Sequence, residues 1–185
     1  ERYIVEDDGI IYDDVNIDIC GKHNIDNLNI VIKLARFLGL SEDEIKDGLK
    51  KYKDIRMKKK YINGALIIDD SYNASLESMK AGIDYITSLN YNYKILVLGD
   101  MLELGIDSMF YHKDLGKYIK DKDIDKVYTY GDESKYIGYT RNKISNHYTD
   151  KELLVKDLKE ELTKDVVIYF KASRGIKLEE IIDKL

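Results

Sequence analysis

The sequence contains no proline and only one cysteine, Cys20, among its 185 residues. A single cysteine cannot form a disulfide within the chain, which fits a reducing compartment such as the cytoplasm. No apolar run approaches the roughly 20 residues of a membrane span, so no membrane partner is expected. The net charge is −5 and the pI about 5.3, without the clustered Lys and Arg of a nucleic-acid-binding surface, so no nucleic-acid partner is expected. We attribute the missing proline, together with the 16 tyrosines, to genomic base composition.

The motifs of several enzyme classes are also missing. No glycine is followed five residues later by Gly-Lys, so the phosphate-binding P-loop is absent from this sequence. Without G-x-G-x-x-G a nicotinamide or flavin site has no anchor, and without G-x-S-x-G nothing marks a nucleophile. The three histidines, His23, His112 and His147, are isolated from one another, so no metal site is predicted.

Short strands and then two helices are predicted in residues 1–55. Asp8-Gly9 lies between two apolar runs and is typical of a hairpin turn. Val15, Ile17 and Ile19 alternate with polar residues, as on a half-buried strand. Because the chain opens in this strand-like sequence without an initiator methionine, we expect it to be a fragment of a longer protein.

Two apolar faces with helical spacing follow. Gly39 ends the first helix, and Ser41 to Glu44 form a capping box that starts the second. The inward residues are Ile25, Leu28, Ile32 and Ala35 on the first helix, and Ile45, Leu49 and Tyr52 on the second. The stretch 50–60 is strongly charged, so we place a domain boundary within it, between residues 55 and 56.

The pattern changes after this boundary. Asn63-Gly64 predicts a hairpin turn between two strands, and short apolar runs then alternate with amphipathic helices. Continuous apolar strands separated by helices are typical of a parallel sheet covered on both faces. We predict an α/β, Rossmann-like domain with a six-stranded, mostly parallel sheet, preceded by a small α+β piece.

Polar residues follow three of the predicted strands. They lie in the stretches "IIDDSYNAS" (67–75), "LVLGDMLELG" (96–105) and "IYFKASRG" (168–175). Ligands of doubly wound sheets bind beyond the carboxyl ends of the strands, so these loops form the candidate site. The strand ends in "TYGDES" and "HYTDKE" have blander side chains.

Each loop has a structural and a functional interpretation. In the first, Ser75 can cap a helix and Asp69 or Asp70 can hold the turn, or one carboxylate can face sugar hydroxyls or a cation. In the second, Asp100 can make turn bonds. In the third, Lys171 can be a solvated charge and Ser173 a helix cap. Alternatively, Arg174, a hydroxyl and a helix N-terminus can together hold a carboxylate or phosphate.

The acidic residues also imitate a receiver domain. Asp69-Asp70, Asp100 and Lys171 match its acidic pair, phosphoacceptor and lysine by residue type. Only one helix separates Asp70 from Asp100, however, so Asp100 ends the next parallel strand rather than the second one after it. We keep a receiver-like phosphoacceptor as the third alternative.

Several segments match a known family in order. They are "GKHNIDNLNIVIKLARFLGLSEDEIKDGL", "RM", "NGALIIDDSYNASLESMKAGIDYI", "KILVLGDMLELG" and "KASRGIKLEEII". Together they resemble the Mur ligase family over nearly the whole chain. "DDSYNA" followed by "LGDMLELG" is typical of its MurF type, the UDP-N-acetylmuramoyl-tripeptide–D-alanyl-D-alanine ligases.

This resemblance implies a three-domain cytoplasmic, monomeric ligase of peptidoglycan synthesis. Residues 1–55 then end the central ATPase domain, and 56–185 form the Rossmann-like third domain. ATP with Mg²⁺ phosphorylates the carboxylate of UDP-N-acetylmuramoyl-tripeptide, and the amine of D-alanyl-D-alanine attacks the acyl phosphate. The P-loop and metal ligands lie upstream, so we expect this chain alone to be inactive. The second alternative is a non-catalytic binding module derived from such a domain.

The resemblance also implies roles for single residues, none of them catalytic. The positions that match ATP-site residues of the family are Asn24, Asn27, Arg56, Asp70 and Asn73. The positions that match residues of its dipeptide pocket are Asp100, Met101, Ser173 and Arg174. His112 and Lys171 match family positions without an assigned role. Ala172 stands where glycine is usual, and we expect it to be tolerated unless its φ is positive.

Overall fold

The computed structural model describes residues 3–6, 9–17, 24–52, 57–138 and 146–185. The chain divides into two compact units, Glu1–Ile55 and Arg56–Leu185. Within the described residues, every helix is too short or too polar to cross a bilayer.

The first unit opens with an antiparallel three-stranded sheet. Its strands are β1 (Tyr3–Glu6), β2 (Gly9–Tyr12) and β3 (Val15–Ile17). The predicted hairpin is confirmed, but Gly9 is the first residue of β2 and pairs with Glu6 rather than lying in the turn. Asp8 and Ile19 lie outside the described residues.

Two helices follow, and the predicted end of the first and the predicted start of the second are confirmed. They are α1 (Asn24–Phe37) and α2 (Glu42–Lys51). Gly39 has a φ of 86° and lies after α1, where only a residue without a Cβ adopts this conformation readily. Ser41 and Glu44 form the predicted capping box of α2.

The first unit has its own hydrophobic core. It contains Ile10, Tyr12, Val15, Ile17, Leu28, Ile32, Ile45 and Leu49, with Ile25 and Ala35 packed against it. Tyr52 was predicted to face inward, and this is wrong. It is 40% exposed because α2 ends at Lys51 and Tyr52 is the extended C-cap residue.

The second unit is an α/β domain. Its elements are β4 (Lys58–Ile62), β5 (Ala65–Asp69), α3 (Leu76–Ser88), β6 (Tyr93–Gly99), α4 (Ser108–Lys120), β7 (Lys126–Tyr130), α5 (Lys135–Gly138), β8 (His147–Tyr148), α6 (Lys151–Glu160), β9 (Val166–Lys171) and α7 (Glu179–Ile182). Short 3-10 helices cover Gly105–Asp107 and Arg174–Ile176.

The sheet of this unit has the order β4-β5-β9-β6-β7-β8. Only β4 is antiparallel, and it joins β5 through the predicted turn, where Asn63 and Gly64 both have positive φ (51° and 95°). Two positive φ values give a type I′ turn, whose twist matches that of the flanking strands.

Helices cover both faces of this sheet. One core cluster joins it to α3, α4 and α5, and the other to α6 and α7. Successive residues of β9 alternate between the clusters, so Tyr169 faces α3 while Phe170 faces the opposite side. The predicted six-stranded, mostly parallel sheet with helices on both faces is confirmed.

Candidate functional site at the carboxyl edge of the sheet

Three predicted loops meet at one edge of the sheet. They follow β5, β6 and β9, which are parallel and have β9 in the middle. The loop after β9 therefore lies beside both of the others. Helices on opposite faces follow these neighbouring strands, and such a change of face opens a crevice for ligands.

Asp70 lies in a buried polar cluster with two residues of β9. Its Oδ2 atom is 2.6 Å from Lys171 Nζ and accepts a hydrogen bond of 2.7 Å from the hydroxyl of Tyr169. Lys171 also donates to the carbonyl of Asn73 at 3.0 Å. Lys171 is only 3% exposed, so the interpretation of it as a solvated charge is wrong.

Tyr169 is completely buried in this cluster. Burial, together with the charge of Asp70 and the hydrogen bond to it, raises the pKa of Tyr169 well above its usual value, so the hydroxyl remains a donor. A glycine on α3 makes room for it, since a Cβ on Gly82 would lie 1.8 Å from the hydroxyl oxygen. The cluster thus depends on three elements, β5, β9 and α3.

The loop after β5 is organised by its own side chains. Asp69 accepts a hydrogen bond of 3.0 Å from the amide of Ser71, which confirms that Asp69 holds the loop. Ser75 caps α3 by accepting from the amide of Ser78, as predicted. Asn73 Oδ1 accepts from the adjacent amide of Ala74 at 2.8 Å.

Asp100 is held in a different way. Its carboxylate accepts hydrogen bonds from three consecutive backbone amides, those of residues 132, 133 and 134, at 2.7 to 3.1 Å. Gly131 has a φ of 129°, and a Cβ there would lie 2.3 Å from Asp100 Oδ1. The carboxylate therefore joins the ends of β6 and β7, in agreement with its structural interpretation.

The next two residues of this loop are also fixed. His112 is fully buried, and its Nε2 accepts from the amide of Met101 at 3.0 Å. The other ring nitrogen, Nδ1, then bears the proton and donates to the carbonyl of Ser108 at 2.8 Å. Ser173 Oγ accepts from the amide of Leu102 at 2.9 Å. This arrangement gives His112 a structural role that its isolation in the sequence did not reveal.

The loop after β9 differs from its prediction. Ser173 does not cap the following helix, which is a 3-10 helix of three residues, because its hydroxyl is bonded to Leu102. Arg174 has a largely exposed side chain that lies 3.0 Å from Glu179. The predicted combination of arginine, free hydroxyl and helix N-terminus is thus not formed. The φ of Ala172 is not positive, and its buried Cβ packs near Gly99.

A cleft of about 550 Å³ opens beside Asp100 at the ends of β7 and β8. Its lining includes Tyr130 and Lys151, and Lys151 Nζ lies 2.9 Å from Glu180 Oε2 and 5.6 Å from the centre of the Tyr130 ring. The side chains at these two strand ends did not indicate a site in the sequence. Their position could have done so, since both ends lie at the same edge of the sheet as the other loops.

The remaining predicted ATP-site residues lie near the domain boundary or in the first unit. Asn24 is the first residue of α1, and Asn27 is an exposed residue of the same helix. Arg56 lies outside the described residues. The roles assigned to these residues stay predictions.

The receiver arrangement is not formed. Because β9 lies between β5 and β6, Asp70 and Asp100 follow strands that are not adjacent, and each has its own set of donors. Among the described residues, no group of three His, Cys, Asp or Glu side chains is placed to hold a metal ion.

Comparison with known proteins identifies the family of this chain. The sequence model described as "Mur ligase, glutamate ligase domain" matches residues 55–183. The chain belongs to the Mur ligase family. A UDP-N-acetylmuramoyl-tripeptide–D-alanyl-D-alanine ligase of Bacillus subtilis is 41% identical over 179 residues, which is 91% of this chain and 39% of that protein. The corresponding ligase of Escherichia coli is 34% identical over 177 residues, 93% of this chain and 39% of that protein.

Solved structures agree with this relationship. The MurF ligase of Thermotoga maritima in complex with ADP superposes with a TM-score of 0.77 and 26% identity, over 100% of this chain and 44% of that one. A MurF of Acinetobacter baumannii gives a TM-score of 0.79 at 25% identity, over 96% and 40%. The chain thus spans about two fifths of the length of these relatives.

Proposed function

We propose that this chain is the carboxyl-terminal part of an ATP-dependent ligase that adds D-alanyl-D-alanine to UDP-N-acetylmuramoyl-tripeptide in peptidoglycan synthesis. The observation that supports this most directly is the 41% identity to the Bacillus subtilis ligase over 91% of the chain. The match extends across both compact units, so it includes the segment before the third domain as well as the domain itself.

In the proposed enzyme, residues 1–55 end the central ATPase domain and residues 56–185 form the third domain. One face of α1 supports this division. Its apolar side chains Ile30, Val31, Leu34 and Phe37 are 54–86% exposed, while the opposite face packs in the unit's own core. Leu38, directly after the helix, is also exposed. A contiguous exposed apolar patch normally marks an interaction surface, so we propose that preceding residues of the ATPase domain cover it.

We propose that Asp70 and Asn73 bind the nucleoside of ATP. Only Oδ2 of Asp70 is bonded to Tyr169 and Lys171, and the other oxygen, Oδ1, is left to accept hydroxyl groups of a ribose. We also propose ATP-binding roles for Asn24, Asn27 and Arg56. Mg²⁺ would be held by the preceding domain, together with the phosphates.

The dipeptide pocket would lie between the loops after β6 and β9. Asp100, Met101 and Ser173 form its rigid wall rather than its ligands, because their polar atoms are engaged within the loops and Met101 is 1% exposed. Arg174 remains exposed, and its guanidinium suits the carboxylate of a dipeptide.

The test is an ADP-release assay on the full-length gene product. We expect release that requires ATP, the UDP-linked tripeptide and D-alanyl-D-alanine together, and none from the 185-residue chain alone. A full-length product that forms no ADP with all three present would contradict the ligase, and would favour a binding module. Gel filtration of the same product tests the expected monomer, and cell fractionation tests the expected cytoplasmic location.

A further inference from the structure

Among the ion pairs of the described residues, the Asp70–Lys171 pair stands out because both of its side chains are almost fully buried. Lys171 and Asp70 are 3% and 6% exposed, and their charged atoms lie 2.6 Å apart. Removing two charges from water costs several kcal/mol per ion, and a buried pair is often no more stable than apolar residues of the same size. Stability alone therefore gives little reason for this pair, and its position at the ligand edge indicates another role.

The bonding of Asp70 is one-sided. Lys171 and Tyr169 both donate to Oδ2, whereas Oδ1 has no donor among the described residues. Oδ1 is also absent from the fully buried unpaired atoms of these residues, so it keeps some contact with solvent although Asp70 is only 6% exposed. Two donors on one oxygen restrict the orientation of the carboxylate and leave the second oxygen as an acceptor for a ligand.

Lys171 connects this carboxylate to the loop beside it. Its ammonium donates to the carbonyl of Asn73 as well as to Asp70. Asn73 is the other residue of this loop in the proposed nucleoside site. The ammonium therefore sets the distance between the two groups that would bind the sugar and the base.

We propose that Lys171 is a positioning residue for the nucleoside. With Tyr169, it holds Oδ2 of Asp70 so that Oδ1 receives the ribose hydroxyls. This inference rests on the proposed ATP-dependent function and assigns to Lys171 an action through Asp70 rather than contact with the ligand.

The experiment compares ATP with 2′,3′-dideoxy-ATP in the full-length enzyme. A hydrogen bond to a charged group is worth about 1.5–3 kcal/mol, so the wild type should discriminate against the dideoxy nucleotide by roughly 10- to 100-fold in kcat/KM. In Lys171→Met, we expect the KM for ATP to rise about 10-fold with kcat nearly unchanged, and this discrimination to fall below about 3-fold.

The matched control is Lys94→Met. Lys94 is another buried lysine of this sheet, 5% exposed and paired with Asp123, but it lies near the amino end of β6. Its replacement should lower stability and leave the discrimination between the nucleotides as in the wild type. If Lys171→Met does not fold, Tyr169→Phe removes the other donor to Oδ2 and should reduce the discrimination.

The outcomes separate this inference from the proposed function. A wild-type enzyme without ATP-dependent activity would refute the ligase itself. An active wild type that discriminates, combined with a folded Lys171→Met that discriminates equally well, would overturn the positioning role alone. An active wild type that accepts dideoxy-ATP as well as ATP would also overturn it, while the ligase function would stand.

Discussion

Asp70 and Asp100 follow parallel strands at the same edge of one sheet and are almost equally buried, at 6% and 4% exposure. Asp100 is bound by three backbone amides of one loop. Asp70 is bound at one oxygen by side chains of Tyr169 and Lys171. The same residue type in equivalent places therefore has two different environments.

This difference in bonding distinguishes a structural role for Asp100 from the ligand-binding role proposed for Asp70. Backbone amides are present whatever the side chains are, so the arrangement around Asp100 needs only the right loop shape and Gly131. The arrangement around Asp70 needs two particular side chains and leaves an oxygen open. We conclude that Asp100 stabilises the edge of the sheet, and the open oxygen of Asp70 is the basis for proposing that Asp70 binds a ligand.

The largest expected effect is that of Asp70→Ala. It leaves the ammonium of Lys171 buried without a counter-charge, which should cost about 3–5 kcal/mol of unfolding free energy. Adding Lys171→Met should recover most of this loss, as measured by urea denaturation followed by circular dichroism. A double variant as unstable as the sum of the two single ones would show that the pair is not coupled.

Asp100→Ala should cost about 3 kcal/mol, because three amides lose a charged acceptor and water replaces it only in part. Here we expect no rescue by a second side-chain replacement, since the donors belong to the backbone. The same denaturation measurement applies, with the exposed neighbour Asp132→Ala as the control. A loss below about 0.5 kcal/mol, typical of surface sites, would contradict the structural role of Asp100.

Gly131→Ala should cost about 2 kcal/mol through strain and the close approach to Asp100. Gly105→Ala is the control, because Gly105 also has a positive φ of 58° but no atom within 4 Å of an added Cβ. We expect about 1 kcal/mol there. Combining Gly131→Ala with Asp100→Ala should cost less than the sum, and strict additivity would rule out the steric contact as the cause.

The smallest expected effect is on the titration of His147. Burial lowers the pKa of His147, and the charge of Asp100 partly opposes this shift. Asp100→Asn should therefore lower the pKa further, whereas Asp70→Asn should leave it unchanged, as followed by proton NMR. An equal response to both variants would remove this electrostatic distinction between the two aspartates.

The lowered pKa of His147 also predicts how the stability of the protein changes with pH. The folded pKa of His147 lies below the unfolded value of about 6.5, so the unfolded chain binds more protons between the two values. The contribution of neutral, partly buried His147 to the free energy of unfolding is complete above about pH 6.5. It is lost as the pH falls through the folded pKa. Relative to His147→Gln, the wild type should lose stability on acidification from about pH 7.5 to 5.

Local patterns predicted the fold because each signal acts over a few residues. Asn63-Gly64, the cap at Ser75 and the box at Ser41 all lie where the sequence placed them. The alternation of apolar runs and helices also predicted the mostly parallel sheet and the helices on both of its faces. Tyr52 was misplaced because the helical spacing continued one residue beyond the actual end of α2.

The bonding of the site was not predictable in the same way. Asp70 meets Tyr169 and Lys171 only because β9 inserts between β5 and β6, about a hundred residues later in the chain. No local pattern specifies that strand order. One signal was present, since Tyr169 and Lys171 are two residues apart on an otherwise apolar strand and so share a face.

The edge strand β4 has a further consequence for handling the protein. Its sequence begins with Lys58, Lys59 and Lys60, and all three are exposed at the open border of the sheet. An unpaired strand edge can recruit a strand from another molecule, and lysine side chains oppose this by repulsion and solvation. The charged stretch that marks the domain boundary in the sequence therefore also protects the sheet from edge-to-edge aggregation, and salt, by screening these charges, should weaken that protection.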